Sequence, residues 1–249
     1  MIALELLDNL PHDKIARCID TGDILQAEVV PMDSLDSEYA MSEQGHISNM
    51  ADIDTSIQYK EIYSPMNDPL LQQILSLAPN IYSPSISHGP RWIPTVALGI
   101  LQNLFECRPN SSVAFADFDW LPPPDVNSTS TTQQQRSNFS LAGQAVGDPL
   151  VTDMNGNDHS CYLTSPPNAL CDILFPTDFG SMAKFASKVI EQSNTKTNQS
   201  VDVSVLAMKQ RDFLLKYGHD EVDKTKGWTG YSPLIDDFGN TSVLTITLR

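Results

Sequence analysis

Glu5 and Asp8 lie three residues apart where an apolar run, MIALELL, gives way to DNLPHDK, and Asn9, Pro11 and His12 follow at once. Carboxylates at the end of a strand accept hydrogen bonds from a ribose, an ammonium or a guanidinium, and an asparagine adds a two-sided amide. A histidine beside them can take up a proton near neutral pH. The plainer reading makes Asp8-Asn9 a turn, Pro11 a helix start and His12 a surface side chain. A second acid set, Asp117 and Asp119 around Phe118, closes SVAFADF, and there a capped strand exit competes with a ligand contact. His46, His88, His159 and His219 show no metal-ligand spacing among themselves or with the cysteines, so no metal is expected. Neither G-x-G-x-x-G, a phosphate-binding G-x-x-x-x-G-K-[ST] nor a nucleophile G-x-S-x-G occurs.

The elements that must position these acids follow from hydrophobic pattern. MIALELL has the length of a buried strand and ILQAEVVP, 24–31, of a second, with a turn and a short helix start between them. In NDPLLQQILSLA, Asp68 predicts an N-cap and Pro69 the first helical position. Pro94 opens a helix carrying Val96, Leu98, Ile100, Leu101, Leu104 and Phe105 around most of its circumference, and Arg108-Pro109-Asn110 stops it before the SVAFADF strand. Cys171 to Phe175 predict a strand, Thr177 or Asp178 a cap, and Phe179, Met182, Phe185, Ala186, Val189 and Ile190 the buried stripe of the next helix. VDVSVLAM, KQRDFLLKYG and SVLTITL read as strand, helix ending at Gly218, and strand. Alternating strands and helices from about residue 90 imply an α/β fold with a doubly wound, mostly parallel sheet, whose ligands sit beyond the carboxyl ends of its strands. Residues 32–66 and 122–148 lack apolar periodicity and read as loop insertions, the second disordered.

Charge narrows the partners. With 31 acidic against 15 basic residues the chain carries −16, which repels nucleic-acid phosphates and anionic membranes. Up to Asp68 fourteen acids face only Lys14, Arg17 and Lys60, either a solvated loop or a surface that recruits a basic partner. No apolar run approaches the roughly 20 residues of a bilayer span. Cys18, Cys107, Cys161 and Cys171 form no C-x-x-C pair and suggest a reducing compartment.

The opening stretch, ALELLDNLPHDKI, resembles the E-x-x-D-x-[LM]-P signature of the MidA-type methyltransferases, the family of the mitochondrial complex I assembly methyltransferase; Glu5, Asp8, Leu10 and Pro11 fall on its fixed positions. RWIPTVALGILQNL, VAFADFDWLPPP, CDILFPTDFGSM and QRDFLLKYG come in the order found in a fungal-type branch of that family. The resemblance implies a Rossmann-like fold, S-adenosylmethionine as cofactor, a protein arginine as methyl acceptor, a complex I subunit as partner and the mitochondrion as location. It puts Glu5 and Asp8 at the catalytic position and Asn9 and Pro11 beside the cofactor. Family members carry their glycine-rich cofactor loop upstream of the signature. Residues 1–249 therefore read as the C-terminal part of a single methyltransferase-like domain without its N-terminal cofactor-binding strands, expected to bind S-adenosylmethionine weakly alone. A non-catalytic assembly or scaffold protein derived from that fold is the alternative.

Overall fold

The computed structural model describes residues 1–31, 59–84, 89–108, 111–121, 149–159, 162–163, 171–197 and 203–248. Its strands are β1 (Ile2–Leu4), β2 (Asp13–Arg17), β3 (Ile24–Pro31), β4 (Tyr59–Pro65), β5 (Arg91–Ile93), β6 (Val113–Phe118), β7 (Leu150–Asp153), β8 (Asp158–His159), β9 (Cys171–Leu174), β10 (Val203–Lys209) and β11 (Thr241–Leu248). The helices are α1 (Pro69–Leu77), α2 (Pro79–Tyr82), α3 (Thr95–Cys107), α4 (Phe179–Thr197), α5 (Gln210–Tyr217), α6 (His219–Lys224) and α7 (Pro233–Asp236), and a 3-10 turn spans Leu7–Asn9. None of the described helices is long and apolar enough to cross a membrane.

The strands form three sheets, ordered β1-β6-β11-β10, β4-β3-β2-β5 and β8-β7-β9. The α/β class holds, but the mostly parallel Rossmann-like sheet does not. Among the described residues β1–β6 is the one parallel pair, and every other pairing is antiparallel. Periodicity locates a strand without giving its direction. Helical crossovers do carry the chain from β1 to β6 through α3 and from β6 to β10 through α4, so these three strands run the same way. The short α5–α7 segment then returns the chain as β11, reversed between β6 and β10. Antiparallel neighbours need only tight turns. Between β2 and β3 the turn closes with Gly22 at φ 78° and with Cys18 N donating to Asp23 O at 2.8 Å.

The segment expected as turn and helix start is the 3-10 turn followed by a strand, β2, and Pro11 opens no helix. The loop expected over 32–66 contains β4 at Tyr59–Pro65, which pairs with β3 from Leu25 to Pro31; 32–58 and the 122–148 insertion lie outside the described residues. Sequence missed β4 because YKEIYSP alternates too weakly to stand out from its acidic, Ser-rich neighbourhood.

One core joins the first sheet to α1, α3 and α4. Register sets Phe115 opposite Leu244 and Val113 opposite Ile246, which puts all four on one face. Ala97, Leu98, Leu101 and Phe105 of α3 and the whole predicted stripe of α4, from Phe179 to Ile190, bury against that face. Ala3, opposite Phe115, joins the same side. Ile2 and Leu4 point away and stay 77% and 67% exposed, so β1 is half-buried rather than the buried strand its apolar run suggests. Asp68 caps α1 as expected: its Oδ1 accepts the Leu71 N–H at 2.7 Å. Asp68→Ala should cost about 1 kcal/mol, read as a lower urea midpoint at unchanged slope.

Candidate functional site

Because β1 and β6 run parallel and side by side, their carboxyl ends meet, and the acids at both ends come together. Leu4 is the last residue of β1, and Glu5 leaves the sheet with φ 49°, a left-handed backbone that side-chain-bearing residues seldom adopt. Its N–H still donates to Ala116 O at 2.9 Å, which holds the exit in place. The chain then enters the 3-10 turn, and Asp117 at the end of β6 grips it. Asp117 Oδ2 accepts the backbone N–H of Leu7 at 2.6 Å and of Asp8 at 3.3 Å, while Oδ1 accepts that of Phe118 at 2.7 Å. The acid named for a strand exit thus shapes the signature turn.

Asp117 is fully buried and Asp8 only 2% exposed. Burial pushes the Asp117 carboxyl up to about 6, and the neighbouring Asp8 adds to the rise. Burial likewise raises Asp8, opposed by the Asn9 side chain, whose Nδ2 donates to Asp8 Oδ1 at 2.8 Å. Two neighbouring buried carboxylates resist ionising together. Glu5, Asn9 and Pro11 are exposed. Of the four candidate site residues, Glu5, Asp8, Asn9 and Pro11, the structure therefore gives three to solvent and turns the fourth, Asp8, inward.

The turn is also tied from its far side. Phe175 N donates to Asp8 O at 3.0 Å, and Thr177 N donates to Phe118 O at 2.8 Å, so the entry to α4 is stitched to both strand ends. Asp178 accepts the Ser181 N–H at 2.9 Å as the cap of α4 and lies 3.5 Å from Arg91. Asp119 pairs with Lys209 and accepts from Ser242 Oγ at 2.5 Å.

Beyond the turn opens a cavity of about 330 Å³, lined by Asn9, Leu10, Pro11, His12, Asp13 and Lys14 on one side and by Ala27, Val29, Trp92, Tyr162, Ile173 and Phe175 on the others. The His12 ring stacks on Phe175, with centroids 4.1 Å apart and planes 9° apart. Burial lowers the imidazole to about 4, so the ring is neutral at physiological pH. Its Nδ1 lies 2.8 Å from Leu10 O; a carbonyl can only accept, so Nδ1 carries the proton and Nε2 keeps a lone pair. That Nε2 has no partner among the described residues. Lys14 Nζ lies 5.1 Å from the Trp92 ring centre and 5.2 Å from that of Tyr162, and binds Glu61 at 2.8 and 3.2 Å.

Sequence reasoning missed Lys14, Trp92, Tyr162 and Phe175 as pocket walls. They come from separate segments, and nothing in their spacing brings them together. Among the described residues no cluster of three or more His, Cys, Asp or Glu could hold a metal ion.

The paired acids thus lie at the carboxyl ends of the parallel pair β1–β6, with a pocket beside them. The chain belongs to the family described as "Putative S-adenosyl-L-methionine-dependent methyltransferase", whose model matches residues 1–195. Its fold is similar to two solved structures from Burkholderia thailandensis. One, an "uncharacterized" superfamily protein, aligns at a TM-score of 0.54 and 12% identity, over 99% of this chain and 54% of the other. The second, a "likely methyl transferase" bound to S-adenosyl-homocysteine, aligns at 0.53 and 12%, over 99% and 52%. The chain thus spans about half the length of the solved structures it matches. No curated protein matches it by sequence.

Proposed function

We propose that this protein takes part in methyl transfer from S-adenosylmethionine to a guanidinium nitrogen of an arginine in a protein, with a complex I subunit as the substrate and the mitochondrion as the place of action. The observation that carries the reading is the signature turn itself: Asp117 holds it at the carboxyl ends of the one parallel strand pair described, with Glu5 left exposed at its rim. Membership of the methyltransferase family and a fold shared with a structure bound to S-adenosyl-homocysteine support the cofactor. The arginine, the complex I subunit and the mitochondrion rest on the resemblance of the opening signature.

The residues present fit that cofactor. Its ammonium and ribose hydroxyls are hydrogen-bond donors, and the rim offers the side-chain carbonyl of Asn9 as an acceptor. When bound, S-adenosylmethionine supplies an electrophilic methyl group on a sulfonium. Glu5, exposed and fixed at its Cα by an unusual backbone angle, orients the guanidinium and offsets its charge. Asp8 is buried and acts through Asn9, whose side chain it fixes. Asn9 and Pro11 form the edge nearest the cofactor.

The test is transfer of labelled methyl from S-adenosylmethionine to arginine-containing peptides of complex I subunits, followed by hydrolysis and identification of methylarginine. Glu5→Gln should lower transfer tenfold or more, since each 1.4 kcal/mol of lost transition-state stabilisation is about tenfold in rate, while the melting temperature stays unchanged. Label found in another amino acid, or none incorporated, would sink the arginine reading.

A further inference from the structure

The His12 imidazole offers a ligand no bonding atom: Nδ1 is committed to Leu10 O, and Nε2 is closed off from solvent. It does close a circuit of contacts around the signature turn. Leu10 N donates to Leu7 O at 3.2 Å, and Phe175 N donates to Asp8 O at 3.0 Å. The Phe175 and His12 side chains stack with centroids 4.1 Å apart, and Nδ1–H returns to Leu10 O at 2.8 Å across Pro11. We infer that His12 is a positioning residue: through this circuit it holds Asn9, Leu10 and Pro11, the rim nearest the cofactor, in the shape that receives S-adenosylmethionine. This deepens the proposed function and rests on it.

Three observations converge. First, the rim has little support of its own. Asn9 and Pro11 face solvent, and Pro11 has no N–H with which to tie itself down. The bond from Nδ1 to Leu10 O spans that proline and fixes the carbonyl before it. Second, the circuit is anchored to a rigid frame. Trp92 backs Phe175 edge-on, with centroids 5.1 Å apart and planes at 62°. Two residues further on, Thr177 N donates to Phe118 O at 2.8 Å, which ties the same segment to the end of β6. The imidazole carries that fixed position across to Leu10. Third, the aim of Asn9 depends on the main chain that the circuit holds. Its Nδ2 donates to Asp8 Oδ1 at 2.8 Å, which leaves the side-chain carbonyl as the acceptor of the pair. Asp117 grips Leu7 and Asp8 from the opposite side, nearer to Glu5. Opening the circuit should therefore loosen how the cofactor is held and leave the transfer step itself unchanged.

Amide exchange with deuterium reads the circuit without any ligand. His12→Phe keeps the stack and loses the donor; His12→Asn keeps a donor at the place of Nδ1 and loses the stack. Each should raise exchange at Phe175 and Leu10 about tenfold relative to Leu7, whose bond goes to Asp117. Links in series open together, so His12→Ala should do no more than either variant, whereas two independent contacts would multiply to about a hundredfold. Phe175→Leu breaks the stack from the other side and should release the Leu10 amide equally, which keeps the test intact if a His12 variant fails to fold. In methyl transfer, His12→Phe and His12→Asn should each raise KM for S-adenosylmethionine about tenfold with kcat within about twofold of the parent. Exchange that rises equally at Leu7, Leu10 and Phe175 would mark a general loss of stability and overturn the inference, as would losses that multiply. The two readings fail separately. Released amides in a chain that transfers no methyl group leave the circuit and remove the reaction; transfer with KM for S-adenosylmethionine unmoved in a variant whose amides are released leaves the reaction and removes the positioning role.

Discussion

Replacing Asp117 with alanine is expected to lower the unfolding free energy by roughly 3–5 kcal/mol, enough to unfold a marginal domain. One buried carboxylate satisfies three backbone N–H groups, those of Leu7, Asp8 and Phe118. Alanine leaves these donors without an acceptor in a site from which water is excluded. Each unsatisfied buried group costs about 1–3 kcal/mol, partly offset because a buried carboxylate no longer has to be desolvated. Asp117→Asn should lose much less, since its single carbonyl oxygen can still take the Leu7 and Asp8 pair and give up only the Phe118 bond. Urea denaturation of both variants checks the order, and a loss below about 1 kcal/mol for the alanine variant would show that the turn holds itself.

A second large effect concerns pH, where two buried groups push in opposite directions. Burial holds the Asp117 carboxyl at about 6 in the folded protein against 3.8 in the unfolded chain, so between these values the folded state binds the extra proton. Its contribution to stability is fully present below 3.8 and is lost as pH rises to 6. His12 titrates at about 4 when folded against 6.5, so in its window the unfolded state binds the extra proton. Its contribution is fully present above 6.5 and is lost as pH falls to 4. Each group on its own gives a slope of about 1.4 kcal/mol per pH unit, and together up to about 3 kcal/mol is masked on either side. Removing one group should therefore expose the other. Relative to the parent chain, His12→Gln should lose stability as pH rises from 4 to 6, with Asp8, also raised by burial, adding to the same trend. Asp117→Asn should instead gain stability over that range. Parallel profiles for parent and variants would mean that neither group is held as far from solvent as its surroundings imply.

The elements with long, strongly periodic patterns were legible without a structure. Asp68 and Pro69 mark the start of α1, and the Phe179 to Ile190 stripe of α4 is buried as its spacing requires. The strands β3, β6, β9, β10 and β11 lie where apolar runs put them. What escaped were short or weakly patterned strands, β2, β4 and β5, and strand direction, which depends on how connections pack rather than on any local preference. The site was legible to the same depth. Residue type picked out Glu5, Asp8 and Asp117, but whether a carboxylate faces water or the interior follows from a backbone angle and from a partner about 110 positions away. Trp92 and Tyr162 meet Lys14 only because β5 pairs with β2.

The amides of Leu7, Asp8, Phe118, Phe175 and Thr177 all bond at the signature turn or at the strand ends beside it, across three stretches of chain far apart in sequence. Apart from that of Phe118, which bonds the side chain next to it, none of these bonds can open by fraying of a single local element. Their protons should accordingly exchange with deuterium at one shared, slow rate set by the whole-domain opening, while exposed loop amides exchange freely. Closing loops this long also carries an entropy cost that only the assembled core repays, so the turn acquires its shape at the end of folding rather than near its beginning. A chain caught part-way, with helices formed but β1 not yet beside β6, would hold every residue of the rim and none of its geometry.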